Sequence, residues 1–244
     1  MTQMMFYDSI VRLDITKHKN TKFTPVTDYS FAAATNSIPI AGVEFIESSK
    51  EYPITFIKNS QGQFIPTVIV GLQNEQNLFV DAKGQWTANY IPAYVRRYPF
   101  VPSTSNEPDK LNICIDQSYK GFDAEKGEPL FNEDGSPAPV LQNMTNLIQD
   151  YHVRMQHTND FTTRLAGCDL LQEMKAEFGS KENGKSFRLT GLYMINEQKL
   201  LDLDQEKAMD FFKKGELAWV YSHLNSLSNF RRLLDRFFAL QKAS

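Results

Sequence analysis

The sequence contains few of the residues that disulfides and metal sites require. Among its 244 residues there are two cysteines, Cys114 and Cys168, which are far apart and lie in apolar settings. Two reduced thiols explain this pattern better than a disulfide, and a thiolate metal site would need more ligands at closer spacing. His152 and His157 are five residues apart, so a helix would not place both on one face. We therefore expect no metal and no other cofactor.

Long apolar runs and familiar catalytic motifs are also missing. No stretch approaches the roughly 20 apolar residues that span a bilayer, and the start "MTQMMFYDSIVRLD" does not resemble a secretory signal. The formal net charge of −3 gives no general attraction to nucleic acid or anionic lipid. A nucleophile elbow, a Walker A loop and a G-x-G-x-x-G loop are absent. We expect a cytoplasmic protein that is not membrane-embedded and does not bind nucleic acid, and residue chemistry alone names no reaction.

What the sequence does contain is typical of one well-packed domain. Hydrophobic residues make up 41% of the chain, and the 18 Phe and 10 Tyr residues allow a sizeable core. In the first 100 residues, "YPITFIK" and "FIPTVIVGL" are β-prone runs joined by the turn "NSQGQ". Connections this short predict antiparallel pairing. We predict a single domain over residues 1–244, with a β-rich part at 1–116, and a linker-like composition at 101–110.

The second half of the chain has helical periodicity. Apolar residues recur every three or four positions from Leu141 to Leu165, and Ser136 followed by Pro137 is a good helix start. This pattern predicts one long helix over about 137–166. The alternative is a break near 156–159, where helix propensity is weaker.

Three further elements complete the predicted helical part, residues 136–244. "MKAEF" and "SFRLTGLYMIN", separated by "SKENGK", are typical of a β-hairpin inserted between helices. Asp204 is positioned to cap a short helix that ends at Gly215, and a last helix is predicted from Glu216 to about Leu240. Strands followed by helices indicate an α+β fold, with an N-terminal antiparallel meander before a mainly helical C-terminal half.

The segment "NYIPAYVRRYPF", residues 89–100, is the first candidate binding site. Tyr90, Tyr94 and Tyr98 recur every fourth residue around Arg96 and Arg97. An arginine among tyrosines can stack on their rings and present a planar fork to a carboxylate or phosphate. The functional hypothesis is an anion or peptide-carboxylate site. The alternative is an arginine–acid bridge that pins the sheet to the helices, with the tyrosines as packing residues.

His223 is the second candidate, because small polar residues surround it in "YSHLNSLSN" beside the apolar stripe of the last helix. Such a helix either packs closely against another element or lines a cavity. The alternative is a buried histidine whose ring bonds to the backbone. We predict that the two segments meet and wall one pocket. The predicted ligand-binding residues are Tyr90, Tyr94, Arg96, Arg97, Tyr98, His223 and Ser226.

Several long phrases of the sequence resemble the SapC family. They are "SFAAATNSIPI", "EYPITF", "GLQNEQNLFVDAKGQWTANYIPAYVRRYPF", "CID", "GEPLFNEDGSPAP", "LTGLYMINEQKL" and "GELAWVYSHLNSLSNFRRL". The resemblance runs from about residue 6 to residue 236. The family is named after a bacterial surface-layer (S-layer) protein locus. Similar proteins are often encoded near TonB-dependent receptors, flavin-dependent halogenases and iron/oxoglutarate hydroxylases. The resemblance implies no catalytic residue.

Three hypotheses about function follow. The first is a soluble bacterial protein with a non-enzymatic binding or accessory role, linked to cell-surface or outer-membrane systems. The second is an enzyme, or the partner of one, acting on peptides or modified amino acids, with His223 as general base. The third is an S-layer assembly or secretion factor that acts by protein–protein contact and exposes an apolar patch. The expected partners are a peptide, an amino acid or a protein.

Overall fold

The computed structural model describes residues 4–104, 111–123, 125–174, 176–180 and 185–243. The strands are β1 Ile10–Arg12, β2 Lys22–Phe23, β3 Ser37–Pro39, β4 Ile54–Lys58, β5 Phe64–Ile69, β6 Phe100–Thr104, β7 Leu111–Asp116, β8 Phe122–Asp123, β9 Glu128–Pro129, β10 Leu171–Glu173, β11 Ala176–Ser180, β12 Lys185–Leu189 and β13 Leu192–Ile195. The helices are α1 Ile15–His18, α2 Phe45–Ser48, α3 Ala93–Arg96, α4 Pro139–Gly167, α5 Glu197–Leu201, α6 Gln205–Lys213, α7 Glu216–Ser226 and α8 Asn229–Ala243.

A five-stranded antiparallel sheet, in the order β10-β13-β4-β5-β3, is at the centre of the fold. The β4–β5 hairpin forms where the sequence predicts it. Asn59 stabilises its turn by accepting hydrogen bonds from the Gln61 and Gln63 amides, and Gly62 has the positive φ that the turn requires. Strand β13 pairs with β4 and with β10, so two strands from the helical half join the N-terminal strands in one sheet. The hairpin predicted between the helices forms as β11 and β12, which pair with each other in a separate two-stranded sheet. The predicted α+β class is confirmed.

Two smaller sheets use the remaining N-terminal strands, and they correct one prediction. Strands β1, β7 and β6 form one sheet, and β8, β2 and β9 form the other. The linker-like composition of 101–110 is misleading, because most of β6 lies within it. That strand pairs with β7 from Phe100 opposite Ile115 to Thr104 opposite Leu111. Residues 105–110 of the predicted linker lie outside the described residues.

The predicted long helix is confirmed as α4, which continues through 156–159 without a break. Within this stretch the Thr158 hydroxyl donates to Arg154 O at 2.6 Å and accepts from Gly42 N at 2.9 Å, which ties the helix to the 41–44 turn. The helix starts at Pro139 rather than Pro137. Ser136 does not cap it, since its hydroxyl donates to Asp134 Oδ1 at 2.6 Å within the preceding turn.

The last helix is not continuous as predicted. It is divided into α7 and α8 by a turn at Leu227 and Ser228. Side-chain hydrogen bonds compete with the helix here. Ser228 donates to Asn225 O, and the Asn229 amide donates to Ser49 O at 2.7 Å and to Tyr52 O at 3.1 Å. The predicted cap of the preceding helix is confirmed, because the Asp204 side chain accepts from Lys207 N.

The main core fills the space between the central sheet and helices α4, α6, α7 and α8. Its fully buried members include Phe45, Phe56, Phe161, Phe211 and Val220.

Trp219 of α7 packs at the edge of this core against the 42–44 turn and requires a glycine there. Its ring lies edge-on to Phe161, with the ring centroids 5.2 Å apart. A Cβ on Gly42 would lie 2.4 Å from Trp219 Cε3, so only glycine leaves room for the indole. Among the described residues, no helix is both long enough and apolar enough to cross a membrane.

Candidate functional site

The Arg/Tyr segment folds as a single helical turn, and this disperses its side chains. Pro92 precedes the turn, and its carbonyl accepts from Val95 N at 2.9 Å and Arg96 N at 3.1 Å. Consecutive residues on a helix point about 100° apart. Arg96 and Arg97 therefore enter different surroundings, Arg96 exposed and Arg97 buried.

A buried carboxylate, Glu44, holds this segment against the 41–44 turn. Its Oε1 accepts hydrogen bonds from the Tyr90 hydroxyl and from Ala93 N, both at 2.8 Å, and its Oε2 accepts from Ala41 N at 2.8 Å. The side chain is only 5% exposed. Burial raises the pKa of the Glu44 carboxyl, although the three hydrogen bonds oppose that rise.

Glu44 lies on the wall of a cavity of about 130 Å³ between this segment and α4. Tyr90 and Arg96 from the predicted site are part of the same wall. Arg96 uses its Nε–H on Ile91 O at 2.9 Å, and its guanidinium carbon lies 5.8 Å from the Tyr90 ring centroid. The described residues lining the cavity are Ala41, Val43, Glu44, Tyr90, Ala93, Arg96, Leu147, Asp150, Tyr151 and Arg154.

Helix α4 supplies the opposite wall, which sequence reasoning did not identify. Asp150, Tyr151 and Arg154 lie on consecutive turns of that helix and line the cavity together. Arg154 Nε donates to Asp150 Oδ1 at 3.1 Å, and both side chains are largely exposed. Tyr151 is 8% exposed, and burial raises the pKa of its phenol, with the nearby Glu44 charge acting in the same direction.

Arg97 lies among aromatic rings instead of forming the acid bridge that the alternative hypothesis required. It is 6% exposed, and its guanidinium carbon lies 3.9 Å from the Tyr94 ring centroid, 5.5 Å from Tyr151 and 5.9 Å from Tyr7. Within the described residues, no carboxylate pairs with Arg97, and its buried Nε–H lacks a hydrogen-bond partner. Cation–π contacts and an interaction with the Tyr7 hydroxyl hold this charge in place.

Tyr98 belongs to a packing cluster below the same turn. Its ring stacks on Phe31, with the centroids 4.1 Å apart, and lies 5.4 Å from the Tyr7 ring. Burial, together with the charges of Asp116 and Asp8, raises the pKa of Tyr98 to about 12. The neutral phenol therefore persists at physiological pH.

His223 and Ser226 have a different environment, between α7 and the central sheet. Both side chains are fully buried. His223 Nδ1–H donates to Ile54 O at 2.9 Å, and Nε2 accepts from Ile195 N at 3.1 Å. The Ser226 hydroxyl donates to His223 O at 2.6 Å and accepts from Ile54 N at 2.9 Å. These bonds fasten α7 to β4 and β13.

This geometry does not place His223 in an active site. Both ring nitrogens bond to the backbone, so neither is available to take a proton from a substrate. Burial lowers the pKa of His223 to about 4. Among the contacts of the described residues, none joins His223 or Ser226 to Tyr94, Arg96, Arg97 or Tyr98, so the pocket predicted between the two segments is not formed by these side chains. Ligand binding by the Arg/Tyr segment stays a prediction.

Comparison with known families agrees with the phrases quoted above. The family model described as SapC matches residues 13–233. The chain belongs to the SapC family. No curated protein and no solved structure matches it. The matched region of this SapC-family protein contains every residue that lines the cavity, from Ala41 to Arg154.

The sequence of this SapC-family protein gives little indication that Glu44 is buried beside the Arg/Tyr segment. It is an acidic residue within the apolar stretch "IAGVEFI", which is a weak sign that a carboxylate is buried. Its partners Tyr90 and Ala93 are 46 and 49 positions away. Asp150, Tyr151 and Arg154 are consistent with an ordinary partly exposed helix surface, and only the packing of α4 against the 41–44 turn gives them a shared cavity.

Proposed function

We propose that this SapC-family protein is a non-enzymatic binding or accessory protein that holds a small charged ligand in the cavity lined by Glu44, Tyr90, Arg96 and α4. The observation that carries the proposal is unused hydrogen-bonding capacity at Arg96. A guanidinium has five N–H donors. Among the described residues, Arg96 donates its Nε–H to Ile91 O, and its guanidinium also interacts with the Tyr90 hydroxyl and with the charge of Glu44. Because the side chain is exposed, its terminal amino groups keep N–H donors that can meet a ligand at the cavity.

Two features favour binding over catalysis. The described residues lining the cavity include no histidine, serine or cysteine, which are the commonest base and nucleophiles of covalent catalysis. His223, the general base of the competing hypothesis, has both nitrogens bonded within the fold. These features support a site that positions a ligand and does not transform it.

The proposed setting of this role is the cytoplasm of a bacterium, in a system that serves the cell surface or outer membrane. This part of the proposal is supported by the resemblance to the SapC family alone. An accessory protein in such a system would present or store its ligand for another component.

A thermal-shift screen of amino acids, short peptides, oxoglutarate, flavins and metal ions tests the proposal. A ligand at a hundred times its Kd stabilises a protein by about 2.7 kcal/mol. We expect one class of compound to raise the Tm of the wild-type protein and to have a much smaller effect on Arg96→Gln. Arg231→Gln, which removes an exposed arginine of α8 away from the cavity, is the matched control and should respond as the wild type does.

A flat screen of the wild-type protein would contradict the proposal. It would favour the protein-contact hypothesis instead, for which the most exposed large apolar side chains among the described residues are Leu201 at 66% and Phe212 at 65%. An equal response of the wild type and Arg96→Gln would show that the ligand binds elsewhere.

A further inference from the structure

We infer that the ligand is a small α-amino acid, with its ammonium group on the floor of the cavity against Glu44 and its carboxylate at the mouth between Arg96 and Arg154. This inference rests on the proposed function and specifies the chemical class of its ligand.

The floor of the cavity is suited to a cation. Glu44 is buried, and three hydrogen bonds use three of the roughly four acceptor positions of a carboxylate. Within the described part of the chain, no basic side chain lies within ion-pair distance of it, although Arg96 is near enough to interact with its charge. A buried carboxylate without a cationic partner is costly. A ligand ammonium would supply that partner, and the aromatic side chains of Tyr90 and Tyr151, which also line the cavity, favour a cation as well.

The mouth of the cavity is suited to a carboxylate. Arg96 and Arg154 are the exposed basic residues of the wall. Each donates its Nε–H to an acceptor of the protein, Arg96 to Ile91 O and Arg154 to Asp150 Oδ1. The terminal amino groups of Arg154, and those of Arg96 that the Tyr90 hydroxyl does not engage, can therefore meet a ligand. A planar guanidinium matches the two oxygens of a carboxylate.

The overall charge of the wall favours a zwitterion over a simple ion. Two arginines and two carboxylates, Glu44 and Asp150, line the cavity, so the wall has no net charge when both carboxylates are ionised. A phosphate or a dicarboxylate would meet two negative side chains, and a simple amine would meet two positive ones. A zwitterion is neutral overall, and it can pair its ammonium with a carboxylate of the wall and its carboxylate with an arginine.

The volume of the cavity and its apolar residues limit the size and polarity of the ligand's side chain. The cavity is small, with a volume of about 130 Å³. This accommodates the amino and carboxylate groups with a small side chain. Val43 and Leu147 are the apolar members of the wall beyond alanine, so a short aliphatic group is favoured. L-alanine is therefore the probe of choice.

Isothermal titration of the wild-type protein with three matched compounds tests the inference. L-alanine carries both charges, propionate lacks the ammonium and L-alaninamide lacks the carboxylate. Since a hydrogen bond to a charged group contributes about 1.5–3 kcal/mol, we expect L-alanine to bind at least about tenfold more tightly than either analogue. Equal binding of propionate would overturn the ammonium assignment, and equal binding of L-alaninamide would overturn the carboxylate assignment.

Two variants locate the charges. Glu44→Gln should weaken L-alanine binding by about 10- to 100-fold and leave propionate binding undiminished. Arg96→Gln, at an exposed position that does not endanger folding, should weaken both compounds, and Arg231→Gln should weaken neither. Unchanged L-alanine binding in Arg96→Gln would place the amino acid elsewhere and overturn the inference.

Failure of this inference can be distinguished from failure of the proposed function. If L-alanine does not bind, but another screened compound binds in an Arg96-dependent manner, the cavity is a binding site and the α-amino acid assignment is wrong. If no compound binds, both are wrong.

Discussion

Arg96 and Arg97 are adjacent in the sequence, yet one lies at a cavity and the other is enclosed by tyrosine rings. The Arg/Tyr pattern correctly predicted that an arginine would lie among tyrosines. It could not predict which arginine would be exposed, because the orientation of one helical turn depends on the distant hydrogen bond from Ala93 N to Glu44. Of the seven predicted ligand-binding residues, Tyr90 and Arg96 line the cavity.

The buried imidazole of His223 should make the stability of the protein depend on pH. Its pKa is about 4 in the folded protein, against an ordinary value near 6.5 in the unfolded chain. At a pH well above 6.5 the imidazole is neutral in both states, and the full stability is present. As the pH falls from 6.5 towards 4, the unfolded chain gains a proton that the folded protein excludes, so the free energy of unfolding decreases.

We expect His223 to lower the free energy of unfolding of the wild-type protein by about 2 kcal/mol when the pH falls from 7.5 to 5. Urea unfolding at both pH values measures the loss. His223→Gln provides the comparison, because an amide can replace both hydrogen bonds without titrating. The wild type should lose about 2 kcal/mol more than the variant, and equal losses would show that His223 is not a buried neutral imidazole.

Helices, strands and caps that depend on residues close in sequence were predicted correctly. Features that depend on contacts between distant residues were not. The β4–β5 hairpin, helix α4 and the Asp204 cap each depend on residues close in sequence, and all three were predicted. The division between α7 and α8 was missed because Leu224, Leu227 and Phe230 continue the helical spacing across it. Asn229 bonds there to carbonyls about 180 positions away, which periodicity cannot reveal.

The attachment of α7 to the sheet should depend on Ser226 and not on its neighbour Ser228. Both hydroxyls donate to the carbonyl three residues earlier, but Ser226 also accepts from the buried amide of Ile54. Ser226→Ala would leave that amide without a partner and should reduce the free energy of unfolding by about 1–3 kcal/mol.

Ser228→Ala is the matched control, because this serine is exposed. This substitution should change the free energy of unfolding by no more than about 0.5 kcal/mol. Chemical denaturation of the two variants gives the comparison, and similar losses in both would mean that the bond to Ile54 contributes little.

At the scale of the molecule, the central sheet combines strands from both ends of the chain. Leu192 of β13 pairs with Ile57 of β4, so neither half contains all five strands of the central sheet. Composition and periodicity could not predict this pairing, because more than 130 residues separate the two strands. The cavity has the same origin, since it requires the 41–44 turn, the 90–96 segment and α4 to come together.

We predict that the whole chain unfolds in one cooperative transition, as the single-domain hypothesis requires. The two tryptophans report on different regions. Trp86 donates to the Tyr52 hydroxyl, and Trp219 packs on Phe161. Trp86→Phe and Trp219→Phe each leave one indole, and its fluorescence should give the same urea midpoint as far-UV circular dichroism of the same variant. A consistent separation of the two midpoints would indicate two independently folding units.

The contact between Gly42 and Trp219 links two positions that are 177 residues apart in the chain. The indole occupies the space that a Cβ at position 42 would need. A relative with alanine or a larger residue at position 42 must therefore carry a smaller side chain at position 219, or must move the 41–44 turn and with it the carboxylate of Glu44. Paired substitution at these two positions would mark the relatives in which the cavity has changed shape.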